Sequence, residues 1–149
     1  MAVTDITALL IRNLRVGSVL YTHCSFCTPP KNKYLLVVSL EPNLLVLVIN
    51  SRINPFYYTN NTAQYHVTIS KTDHSFLQHD SYANCIDANT AFKLDDCRQQ
   101  MVENYKNFHK GWVTDNCLKN VLDAVSQQKV MRKAHKEEII SSLKSRLNC

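Results

Sequence analysis

Two short stretches of this 149-residue chain hold side chains that can do chemistry. The first, TDHSFLQHDSYANC at 72–85, places His74 and His79 close together, with Asp80 and Ser81 directly after. Two imidazoles and a nearby lysine suit metal-free phosphodiester cleavage. One imidazole removes the 2′-hydroxyl proton, the other protonates the leaving oxygen, and the cation stabilises the charged transition state. The same spacing also fits a turn, with Asp80 and Ser81 leading into a strand and both histidines on the surface. The second stretch, HCSFCTPPKNK at 23–33, joins a Cys24-x-x-Cys27 pair to two prolines and to Lys31 and Lys33. A structural zinc site wants four donors, and the chain has no second C-x-x-C pair and no H-x-x-x-H. A redox pair belongs at the start of a helix, where the dipole lowers the thiol pKa. Here Pro29, Pro30 and an apolar run follow instead. The stretch fits an exposed loop between strands with a basic end, and neither a metal nor another cofactor is expected.

Positioning these residues falls to strands first and helices later. Residues 18–23, 34–40 and 44–50 are rich in Val, Leu, Ile or Tyr, and the short break at 41–43 makes the last two an antiparallel hairpin. Runs this apolar imply burial on both faces, as in a small closed barrel. Residues 54–62, NPFYYTNNT, read as a polar loop with exposed aromatics, and 65–70 and 81–86 as two further strands. A short helix with Thr4 or Asp5 as N-cap precedes the strands, and Gly17 ends it. After them, Asp95 or Asp96 caps a helix reaching about Asn107, with Cys97, Met101 and Tyr105 on one face. Thr114 or Asp115 opens a second helix. A third spans about 132–147, with Ile139, Ile140, Leu143 and Leu147 as its stripe. The expected fold class is α+β, a small barrel followed by C-terminal helices in a single domain, 1–149. Its strands lie over about 13–92, helices packing on the barrel over 95–127, and a basic helix over 129–149.

Composition removes several classes. At 45% hydrophobic residues the chain can build one proper core. Its longest apolar runs, 34–38 and 44–49, are far short of a membrane span. The N-terminus MAVTDITALLIRN lacks a basic lead-in, and Asp5 and Arg12 interrupt its apolar residues, so no signal peptide is expected. A cytoplasmic protein without a membrane partner follows, and its six cysteines read as reduced thiols. With two glycines in all there is no G-x-G-x-x-G, no P-loop and no G-x-S-x-G elbow. That sets aside Rossmann and P-loop nucleotide binding and the hydrolases built on such an elbow. Charge is uneven: residues 129–149 carry six basic groups against Glu137 and Glu138, +4 of the chain's +5. Such a tail is either a solvated helix face or a surface for nucleic acid or an acidic partner.

The order of the strand segments resembles a known family. G-S-V-L-Y, a polar loop with P-P-K-N-K, then Y-L-L-V-V-S and L-V-L-V-I-N-S are similar to the first strands of MazF/PemK-like (Kid-type) toxins. D-H-S-F-L-Q-H-D-S-Y resembles a signature of that group's relatives, and K-G-W-V-T-D-N-C-L-K-N-V-L-D-A-V resembles the family's closing helix. The resemblance spans about residues 13–126. It implies an SH3-like barrel, a metal-independent endoribonuclease acting on single-stranded RNA, a homodimer, and an antitoxin or other protein partner. Carried over residue by residue, it puts Lys33 at the basic position before a strand, Ser51 and Arg52 near a hydroxyl position, and Asp87 near a carboxylate. His74 and His79 come from the D-H-x-F signature. Lys31 and Arg52 then hold phosphates, and Phe56, Tyr57 and Tyr58 stack unpaired bases. The family's arginine-bearing loop is replaced here by residues 28–33, and lysine does not clamp a phosphate bidentately. Three readings stand. One is an RNA-cleaving enzyme using His74, His79, Lys33 and Asp87. Another is a catalytically inactive module of the same fold that binds RNA or a protein partner. The third is a helical interaction module whose basic tail carries the partner and can be removed without unfolding the barrel.

Overall fold

A Leu-Leu-Val-Val run buried on both sides is stable only where both faces of a strand are covered, and it forms the middle of β2 (Lys31–Ser39). In this computed structural model, which describes residues 2–148, β1 (Ser18–Cys24) and β3 (Leu45–Asn50) flank β2 antiparallel. β4 (His66–Ile69), β5 (Ser81–Asn84) and β6 (His109–Trp112) complete a six-stranded sheet in the order β4-β5-β3-β2-β1-β6, antiparallel throughout. The sheet curls into a half-barrel whose two end strands, β4 and β6, do not pair with each other. The expected burial on both faces is met by helices instead of by closure.

Those helices are α1 (Ala2–Arg12), α2 (Pro55–Thr59), α3 (Leu94–Glu103), α4 (Tyr105–Phe108), α5 (Asp115–Gln127) and α6 (Lys133–Leu147). The fold is thus α+β with its longest helices at the C-terminal end. On one face, Val19, Leu36, Leu47, Ile49, Val67 and Ala83 pack under Leu118, Val121 and Val125 of α5 and Ile139 and Leu143 of α6. On the opposite face, Leu20, Leu35, Val37 and Val46 pack under Leu14, Cys97, Met101 and Phe108. α1 already begins at Ala2, which leaves Thr4 and Asp5 inside the helix rather than at its cap; Cys149 lies outside the described residues. Residues 54–62 are not all loop, since Asn54 caps α2 by accepting the Phe56 N–H at 2.9 Å, with Pro55 in the first turn.

Both glycines are required where they stand. Gly17 has φ +100° at the entry to β1, and a Cβ there would meet the Leu118 side chain at 3.2 Å. At Gly111 the ring of Phe76 lies 2.7 Å from where a Cβ would be. That close approach locks the 72–80 loop onto β6, a strand the sequence pattern did not signal.

The C-terminal segment is core, not tail. Ile139 and Leu143 are completely buried. The Glu138 carboxylate accepts from Ser39 Oγ at 2.7 Å and from the Asn43 side-chain amide at 2.9 Å. α6 is thereby clamped to the β2–β3 turn and packs on the sheet, where a separable basic tail was one of the expectations.

Candidate nucleic-acid interface

Side chains two apart on a strand share a face, so Lys31 and Lys33 project from β2 on the same side. The strand extends here beyond the helices that cover the Leu35–Val37 part of that face. The end of β3 lies alongside, and Lys33 Nζ donates to Asn50 Oδ1. Ser51 and Arg52, both exposed, continue from β3, and the Asn54 cap then turns the chain into α2. From α2, Tyr57 points inward. Its hydroxyl accepts from Asn84 Nδ2 at 3.0 Å, and its ring meets His66 edge-on with centroids 4.6 Å apart. Phe56 and Tyr58, 61% and 65% exposed, stand outward.

Between these elements lies a cleft of about 540 Å³. Lys31, Lys33, Ser51, Arg52 and Tyr57, all selected from the sequence, line it, together with Asn50 and Asn84, which were not. Among the described residues, no carboxylate lines it. Three cations facing one open cleft without a counter-charge attract an anion. Burial, and after it the neighbouring Lys31, lower the pKa of Lys33 from the usual lysine value. His66 holds its Nδ1 3.1 Å from the Ala63 carbonyl, so the proton sits on Nδ1; Nε2 is buried and has no partner among the described residues. Burial lowers its pKa as well.

The structure separates the other selected residues from this cleft. His74 is 3% exposed, with Nδ1 donating to the Ser70 carbonyl at 2.8 Å and Nε2 accepting the Thr114 N–H at 3.1 Å. With both ring nitrogens used, it joins the loop after β4 to the start of α5 and has no lone pair or proton to offer a substrate. His79 is exposed beyond the far end of the β4–β5 ladder, its Nδ1 3.0 Å from the Asp80 carbonyl. Asp87 is exposed after β5 and does not line the cleft. Tyr58 borders a separate shallow groove with Asn61, Ala63 and Gln64.

Cys24 and Cys27 close the turn at the end of β1, where the Cys27 N–H reaches the Cys24 carbonyl at 3.4 Å. Burial, then the neighbouring Cys27, push the Cys24 thiol up to about 11, opposite to the shift a redox-active thiol needs. Among the described residues no three His, Cys, Asp or Glu side chains gather where they could hold a metal ion. No described helix is long and apolar enough to cross a membrane. The two amides in the cleft escaped sequence reasoning because Asn50 ends an apolar strand and Asn84 lies 34 positions later; only their pairing through Lys33 and Tyr57 marks them. Neither family models, curated proteins nor solved structures match this chain.

Proposed function

We propose that the protein binds single-stranded RNA in this cleft, with Lys31, Lys33 and Arg52 on phosphates, Ser51 and Asn50 on sugar or phosphate oxygens, and Tyr57 of α2 beside a base. The observation that carries this reading is the convergence of three cations from two separate strand ends on a cleft with no carboxylate among its described lining residues, with the Tyr57 ring on its wall. Single strands are gripped by such a pairing of charge and stacking surfaces. The resemblance to MazF/PemK-like toxins supports the choice of RNA, and a homodimer or an antitoxin partner rests on that resemblance alone.

Cleavage is a second reading, favoured by one observation. Lys33, with its lowered pKa, is the group in the cleft best suited to move a proton. A His74–His79 acid–base pair has no support from the geometry.

The test is fluorescence anisotropy with a labelled single-stranded RNA across a salt series. Replacing Lys31 and Arg52 together by Ala, both exposed, is expected to weaken binding at least tenfold at low salt. It should also reduce the slope of log K against log salt by about 1.4, from about 0.7 per lost phosphate contact. An unchanged slope sinks the reading. The same RNA incubated in excess EDTA decides the cleavage reading. Cyclic-phosphate ends that vanish in Lys33→Ala support it, and intact RNA leaves binding alone.

A further inference from the structure

The sheet face that carries the cleft continues past it. Cross-strand registers set Thr22 opposite Lys33, Asn50 opposite Tyr82 and Tyr82 opposite Thr68, and Lys33 itself bonds to Asn50. One row of side chains therefore crosses β1, β2, β3, β5 and β4 on the same side of the sheet. The apolar cluster on this side runs through Leu20, Leu35, Val37 and Val46 and reaches Cys24 and Cys27 at the β1 end, but none of its described members belongs to β4 or β5, so the Tyr82–Thr68 half of the row lies outside it. Thr68 is exposed, and Tyr82 is half-buried. With strands about 4.8 Å apart, Tyr82 stands about 10 Å from Lys33, two strands over.

Charge along the row changes in a way that fits a polymer. At the cleft it is cationic; at Asn50, Tyr82 and Thr68 it is neutral, as a base needs and a phosphate does not. Beyond the row, Asp73 and Asp80 hold the β4–β5 turn, accepting from Ser70 Oγ at 3.2 Å and the Lys71 N–H at 2.8 Å. We propose that Tyr82 is a base-stacking platform, and that cleft and row form one track on which a single RNA strand crosses the β-strands. Phosphates occupy the Lys31–Arg52 end and a neighbouring base lies on the Tyr82 ring. This inference rests on the RNA-binding reading and extends it from an anion site to a polymer site.

Two probes separate the two ideas in the full-length chain: a labelled uridine nonamer, followed by anisotropy, and uridine 3′,5′-bisphosphate as its competitor. Tyr82→Ala is expected to weaken the nonamer about tenfold, the effect of one lost stacking contact. The inhibition constant of the bisphosphate should stay unchanged, and Tyr82→Phe, which keeps the ring, should bind the nonamer as the parent does. Should the alanine variant fail to fold, Tyr82→Leu keeps the bulk and removes the π face. A folded Ala or Leu variant with parental nonamer affinity overturns the track and leaves the cleft standing. Equal weakening of both probes also overturns it, since Tyr82 then only shapes the cleft. If the parent protein binds neither probe, the RNA reading and the track fail together.

Discussion

His74 shows how one side chain changes meaning between sequence and structure. In the sequence it is the first imidazole of a D-H-x-F stretch; in the fold it is a bridge with both nitrogens occupied. Removing it leaves the Thr114 N–H and the Ser70 carbonyl, both only part-buried, without the imidazole, which costs about 1–2 kcal/mol. His74→Ala is therefore expected to lower the urea midpoint with an unchanged RNA affinity in the fraction that remains folded. Loss of RNA affinity at parental stability would return His74 to the site. Nothing within 72–85 distinguishes these roles, because His74 is buried by Phe76, which packs on Gly111 more than thirty residues later. Lys31 and Lys33 were legible: alternation along one strand is enough to place them together.

At the scale of elements, helices and strands came through more faithfully than their uses. The apolar stripe Ile139, Ile140, Leu143 and Leu147 announces a helix, and α6 is that helix. Its charges suggested a detachable arm, yet it covers the sheet and carries Glu138 to Ser39 and Asn43. A chain ending at residue 128 uncovers the core around Leu36 and Val121, and loses the burial of two complete side chains at about 1.5–3 kcal/mol each before any cavity cost. It is expected to lose cooperative thermal unfolding and near-ultraviolet circular dichroism. A sharp transition close to that of the full chain would show the segment to be peripheral. α2 and β6 went unread for a common reason: elements of four or five residues hold too few positions for a period to show.

For the whole molecule, pH bears on stability through two histidines with lowered pKa values, His109 and His66. His109 is buried between the rings of Tyr105 and Trp112, with Nε2 3.0 Å from Ser18 Oγ. Burial, and secondarily the Arg15 guanidinium stacked on Trp112, lower its pKa to about 4. His66 shifts the same way. In the unfolded chain these imidazoles take up protons near pH 6.5, before the folded ones do. Stability is thus complete above about pH 6.5 and declines toward pH 4, by an amount on the order of 2–3 kcal/mol for His109. Urea unfolding between pH 7 and pH 4 checks this, and His109→Phe should flatten the profile. An equally steep profile in that variant would exclude His109 as its source. The sequence by itself determined β1 to β5, the hairpin and the helical stripes, since each is a local matter of period, apolar run and turn residue. It also determined that the two lysines share a face. Tertiary structure alone decided which face stays open, that Asn50, Tyr82 and Asn84 join Lys33 on it, and that His74 leaves it. Those outcomes depend on the register between strands distant in the chain and on which side each helix covers, and no local pattern encodes either.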